Sequence, residues 1–400
     1  MIDNENIVCV SNTTWEGFYT KSTVQLLSLL AKQNKVLFVE YPFTWKDLLF
    51  TIIGKGRAPV ARMLGIKKRV EAKQSAFHTT VYQLILPPML PSEFIKIESV
   101  YRILLRFNAA IYALFVNRAL KKLKMGNPVC INAYNAIYGN HLVGKLTEKL
   151  HVFYCYDGPD IRRYGQRAVF ADRGLAQKTD GLIVTSEFLA ESMKELNPNI
   201  EVVKNGVDFN LFNTNAKTVT NQNKIHKVGY IGSLDHRFDL ETVEFAIKNL
   251  RDYEFEFVGD QMNKHIAEVL SKYSNVKFLP PVKPYEVPEL LRNCDVGLIP
   301  YQCTEYTKNI YPLKINEYLS VGVPVVLTPF AVLPEFEEIV SFAGEKEAFC
   351  NAIRNAVEND NPEKIKERIV FAKNNSWESR AVQFSNVLEK LINLKTNKKL

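Results

Sequence analysis

The chain is short of several things, and each shortage excludes a class of protein. Six cysteines occur in 400 residues (Cys9, Cys130, Cys155, Cys294, Cys303 and Cys350), none lies in a CxxC pair, and most fall in apolar or strand-like runs. A zinc or disulfide framework is therefore not expected, and a reducing compartment is. Glycine and proline number eighteen each and are scattered, which excludes collagen-like and low-complexity chains. The opening, MIDNENIVCVSN, is acidic and runs into a strand, unlike a basic-plus-apolar leader. The longest apolar stretch of the basic region, Ala109–Val116, falls far short of the roughly 20 residues that span a bilayer. Apolar residues make up 46% and charged residues 24%, so the chain is neither disordered nor fibrous, and its length suggests two or three domains.

Acid is scarce in one place. Residues 51–150 hold 16 Lys and Arg against 4 Asp and Glu, whereas the other 300 hold 35 against 39, so one quarter of the chain carries the whole net charge of +8. The basic residues are interleaved with apolar ones, as in SVYRILLRFNAAIYALFVNRALKKLKMG, where Tyr101, Leu104, Leu105, Ala109, Tyr112, Phe115 and Leu120 recur at helical spacing. A basic amphipathic helix suits a membrane surface bearing anionic lipid; the alternative is a core helix whose polar side is basic. Nucleic acid is not expected, since no helix-turn-helix or zinc pattern accompanies the charge. The location expected is cytoplasmic, at the inner face of the cell membrane.

Short apolar runs alternate with helical stretches throughout, which predicts an α/β fold of helix-covered parallel sheets. The stretch Asn213–His226 is mostly Asn, Thr and Lys with little to bury, and it predicts a linker. The expected organisation is a domain over 1–212, a linker over 213–226, a second domain over 227–375 and a final helix over 376–400, capped by Ser376, that can cross back to the first domain. Both domains are expected to be Rossmann-like and to face a central cleft.

Open α/β sheets bind ligands where loops leave the carboxyl ends of their strands. After the strand Lys227–Ile231 comes GSLDHRFD, in which Gly232 admits a ligand to the backbone and Arg237 offers a bidentate grip on phosphate. A second loop, YQCTEYTKNIY, leads into PLKINEYLSVGVPVV. There Pro312 suits a helix start, and Lys314 and Glu317, three apart, share one face near its positive end. Lysine there can reach a diphosphate and glutamate can accept from ribose hydroxyls, although an exposed ion pair would show the same spacing. In the first half, Asp157 follows the strand Val152–Tyr156 and precedes Gly158-Pro159, where a carboxylate can act as general base or cap a turn; Asp160 is the reserve. Trp15, after the first strand, either stacks on an acceptor sugar or anchors its loop. His141, His151 and His236 have no partner cluster and are read as structural or solvated.

These blocks, with FYCYDGPD, TDGLIVTSEFLAESM, NGVDFNLF, FEFVGD and VKFLPPVKPYEVPELLRNCDVGLIPY, resemble glycosyltransferases of the GT-B fold. The resemblance is to the family-four type, and within it to the teichuronic-acid and xanthan-glucuronosyltransferase-like group of bacterial envelope and exopolysaccharide synthesis. It implies a nucleotide-sugar donor, UDP-linked, held by Gly232 and Arg237 near the diphosphate, Lys314 on a phosphate and Glu317 on the ribose, with backbone near Val282 reading the base. Many family-four members carry two glutamates eight positions apart; here the first position is Asn309, which puts the handling of the transferred sugar in question. The implied acceptor is a lipid-linked or growing saccharide. No Asp-x-Asp occurs, so no metal or other cofactor is expected, the leaving diphosphate being neutralised by cationic side chains and a helix N-terminus. Inversion is slightly favoured over retention. The rival readings are a nucleotide-sugar 2-epimerase and a non-catalytic, membrane-associated sugar-nucleotide-binding subunit.

Overall fold

A computed structural model describes residues 2–17, 21–214, 216–220 and 225–397; the side chains of Arg162 and Asn309 also lie outside what it describes. The chain forms two compact units, residues 1–204 with 381–400, and residues 205–380.

The first unit holds β1 (Asn6–Ser11), β2 (Lys35–Val39), β3 (Val70–Gln74), β4 (Thr80–Leu84), β5 (Val129–Ala133), β6 (Leu150–Cys155), β7 (Gly181–Val184) and β8 (Ile200–Val202). They form one sheet in the order β3-β4-β2-β1-β5-β6-β7-β8, parallel except for the antiparallel pair β3–β4. Residues Ile7–Val10 and Val36–Val39 are wholly buried, as expected of strands covered on both faces. The strand order reverses between β1 and β5, paired through Val8↔Cys130 and Val10↔Asn132. The edge strand β3 has no counterpart in the sequence reading: VEAKQ is short, polar and only partly buried, so burial leaves no pattern in it.

The second unit holds β9 (His226–Ile231), β10 (Tyr253–Val258), β11 (Val276–Leu279), β12 (Val296–Ile299), β13 (Val325–Leu327) and β14 (Ser341–Phe342). This sheet is wholly parallel in the order β11-β10-β9-β12-β13-β14 and reverses between β9 and β12.

The boundary between units differs from the expected one. It falls after Lys204, because Val207 and Phe212 belong to the second unit's core and the Val207 N–H donates to the Asn375 carbonyl at 3.1 Å. Part of the expected linker is also packed. The Lys217 N–H donates to the Val321 carbonyl at 2.8 Å, and its buried ammonium donates to the Cys294 carbonyl. Residues 215 and 221–224 of that stretch lie outside the described residues. Ser376 accepts the Ser379 N–H at 3.2 Å and starts the helix Trp377–Asn397. Its residues from Ala381 onward belong to the first unit, where Phe384 packs edge-on against Tyr154.

Candidate functional site

In the second unit, the loops after β9 and β12 both leave the point where the strand order reverses, the place an open α/β sheet offers a ligand. They are tied together by the Asp239 N–H on the Pro300 carbonyl (2.8 Å) and the Gln302 N–H on the Arg237 carbonyl (2.7 Å). The helix Leu313–Val321 begins just beyond, with Pro312 as its N-cap, one place earlier than the first helical turn proper. The helix is fixed by Tyr318, whose buried hydroxyl accepts from the Ile231 N–H at 3.0 Å and donates to the Gly229 carbonyl at 3.3 Å. Room for that ring comes from Gly297, where a Cβ would approach the Tyr318 ring to 2.4 Å.

One turn before Tyr318, Lys314 lies over Gly232: a Cβ there would meet the lysine Cε at 2.7 Å and Nζ at 3.3 Å. Glu317 shares the helix with Lys314. Burial pushes its carboxyl up and the nearby ammonium opposes the shift. Gly232, Lys314 and Glu317 are thus brought together at the reversal point.

Arg237 is engaged differently from the sequence expectation. Its Nε donates to both Asp235 oxygens (2.9 and 3.1 Å), and its Nη2 to Asp235 Oδ2 at 2.6 Å. The guanidinium also rests over the Tyr301 ring, 5.1 Å from its centre. Burial raises the Asp235 carboxyl, but the arginine outweighs it and leaves it lowered. Much of the fork therefore braces the loop. Val282 follows β11 and packs against the core. Asn309 ends the short turn Thr307–Asn309, and its side chain lies outside the described residues. Glu305 pairs with Lys308.

In the first unit, Asp157 follows β6 and accepts the Gly158 N–H at 2.9 Å. Asp160 caps the next turn through the Arg163 N–H at 3.1 Å. Trp15 is an anchor: its ring packs edge-on against Phe38 at 5.2 Å, and its N–H donates to Glu40 at 2.8 Å. His151 is buried against Glu148 at 3.0 Å, a structural role. Two carboxylates absent from the sequence reading emerge. Glu40, buried at the end of β2, receives Trp15 and Gln83 on Oε1 and leaves Oε2 without a partner. Asp172 is buried on the helix Gln166–Lys178 with Oδ2 unpartnered. Its spacing from Ala168, Leu175 and Ala176, also buried, was a readable signal: an acid on an apolar helical stripe. Among the described residues no cluster of His, Cys, Asp and Glu suits a metal.

The basic segment forms the helix its spacing predicts, with the regular apolar stripe turned to the core. In the 25-residue helix Glu98–Lys122, Tyr101, Leu105, Ala109 and Tyr112 form the core-facing side, while Val100, Ile103, Phe107 and Leu114 are exposed among the arginines. The helix is apolar and long enough to cross a membrane by length and composition, although its apolar residues are interrupted by arginines. One face packs against the sheet and the other is exposed. The helix Trp45–Ile52 buries only Leu48 and exposes Trp45, Leu49, Phe50 and Ile52. Lys46 lies 4.3 Å from the ring of exposed Phe94 and 5.5 Å from that of Phe50, so these residues form one patch.

Residues 225–359 match the family described as glycosyl transferases group 1. The matched stretch lies within the second unit and contains all six strands of its sheet, with Gly232, Lys314 and Glu317. A putative teichuronic acid biosynthesis glycosyltransferase from Bacillus subtilis is 29% identical over 168 residues; the match spans 40% of this chain and 42% of that protein. Sucrose-phosphate synthase from Thermosynechococcus elongatus superimposes with a TM-score of 0.69 at 14% identity, over 98% of this chain and 100% of that one. HepE from Anabaena, in complex with UDP-glucose, gives 0.63 at 13% identity over 96% and 99%. The fold is GT-B, an α/β fold of two Rossmann-like parallel-sheet units.

Proposed function

We propose that the protein is a glycosyltransferase that moves a sugar from a UDP-linked donor to a lipid-linked or growing saccharide in envelope polysaccharide synthesis. The observation that carries this reading is the lysine folded over Gly232 at the reversal point of the second sheet, with Glu317 one turn on. A diphosphate laid on the Gly232 backbone meets the Lys314 ammonium and the positive end of the helix, and Glu317 accepts from the ribose. Arg237 adds its charge beside the diphosphate, backbone near Val282 reads the base, and Asn309 borders the sugar. No metal or cofactor enters this reading.

The first unit takes the acceptor. The acceptor oxygen attacks the anomeric carbon, the bond to the diphosphate oxygen breaks with its electron pair leaving on UDP, and Asp157 receives the hydroxyl proton, inverting the sugar. The patch of Phe50, Phe94 and Lys46, with the exposed apolar side of Glu98–Lys122, rests on anionic lipid at the cytoplasmic face, where each basic side chain adds about 1 kcal/mol. The relative matched in Bacillus subtilis, described as a teichuronic acid biosynthesis glycosyltransferase, supports the acceptor class.

The test is transfer from radiolabelled UDP-sugars to a bacterial membrane lipid extract. Asp157→Asn is expected to lower transfer by roughly 10²- to 10⁴-fold with UDP affinity unchanged. Wild-type activity in that variant would remove Asp157 as the base, and a product formed without acceptor would point to epimerisation.

A further inference from the structure

The first sheet has its own reversal point, between β1 and β5, and a small pocket opens there. It is a partly open cavity of about 20 Å³ lined by Asn12, Tyr134, Asn135, Asp160, Tyr164 and Asp172 among others, room for one water or one hydroxyl. Asn12 follows β1 and Tyr134 follows β5 directly. Tyr134 has φ +54°, a left-handed conformation that a bulky side chain adopts only when its surroundings enforce it, and which recurs at binding sites.

Most polar groups around the pocket are already committed. The Asn135 amide donates to the Ser11 carbonyl at 3.1 Å, the Tyr134 hydroxyl donates to the Gly158 carbonyl, and Asp160 caps its turn. Asp172 is one that is not. It is 6% exposed, and its Oδ2 has no hydrogen-bond partner; burial, with no hydrogen bond to offset it, pushes its carboxyl up to about 7. A buried acceptor without a donor costs about 1–3 kcal/mol, so this carboxyl lacks one O–H or N–H. Asp157, Asp160 and Asp172 all act electrostatically on Tyr134, which disfavours an anionic group there.

We propose that this pocket is a hydroxyl-binding subsite for the saccharide acceptor, in which the Asp172 carboxyl accepts the hydrogen bond of one sugar hydroxyl that does not itself react. The inference rests on the glycosyl-transfer reading and deepens it: the acceptor enters at the reversal point of the first sheet, and Asp172 is a positioning residue that selects for a free hydroxyl.

The experiment is steady-state transfer with the full-length protein, UDP-glucose, UDP-N-acetylglucosamine or UDP-glucuronate as donor, and membrane lipid extract as acceptor. Asp172→Asn keeps the side-chain size, and Asp172→Ser serves as a second variant should the first fold poorly. The expected result is a rise of tenfold or more in acceptor KM with donor KM, kcat and the thermal shift given by UDP nearly unchanged. An unchanged acceptor KM in both variants, with transfer intact, would overturn the subsite and leave only a structural water for Asp172, while the glycosyl-transfer reading survives. If the wild type transfers from none of these donors and UDP gives no thermal shift, that reading fails and the subsite with it.

Discussion

The two sheets are built alike and furnished oppositely. At the reversal point of the second, a cation leans over bare backbone: Lys314 above Gly232, held by a helix that Tyr318 bonds to β9. At the reversal point of the first, a carboxylate is buried with one oxygen unanswered. One site suits a leaving anion and the other a neutral donor of hydrogen bonds. The same topology therefore presents different chemistry according to the few side chains placed at the crossing of the strand order.

That contrast can be broken at several points. The largest effect is expected at Asp172. Its carboxyl rises from 3.8 to about 7 on folding, so between these values the folded state holds a proton that the unfolded state has lost. Stability is full below the lower value and declines as pH rises through the upper one, by on the order of 4 kcal/mol. Asp172→Asn should abolish this decline. Thermal unfolding of the two proteins at pH 5 and pH 8 checks it: the variant should gain more on the wild type at the higher pH, and equal gaps at both would show the carboxyl is not desolvated.

A smaller loss is expected on the other side. In Gly297→Ala the new methyl meets the Tyr318 ring, and relieving the overlap should cost about 1–3 kcal/mol. The helix carrying Lys314 should shift, lowering UDP affinity, while acceptor KM stays as it was. Calorimetry with UDP and the denaturation midpoint read both effects; an unchanged UDP affinity would show that Tyr318 does not place the lysine.

How much of this was readable beforehand divides along physical lines. Parallel strands buried on both faces are dense apolar runs, so β1, β2, β5, β6, β9 and β12 were legible, and with them the loops holding Gly232, Lys314 and Glu317. The polar edge strand β3 was not, because half-exposed residues carry no burial pattern. Arg237 was readable as a cation near the site but not as a partner of Asp235, since that pairing depends on how the loop turns. The basic segment was readable as amphipathic, yet its regular apolar stripe proved to be the face turned to the core, and the exposed Phe94, Phe107 and Phe50 follow no single helical period. Asp172 left a trace in its spacing, whereas its missing partner is a fact of three dimensions only.

The central claim is that Lys314 grips the diphosphate of the donor and Glu317 its ribose, and isothermal titration of UDP tests it most directly. Lys314→Ala should weaken UDP by about 100-fold, the worth of a charge-assisted contact of roughly 2–3 kcal/mol, and Glu317→Ala should weaken it about tenfold through the ribose, both in proteins that melt like the wild type. UDP bound by Lys314→Ala as tightly as by the native chain would contradict the account.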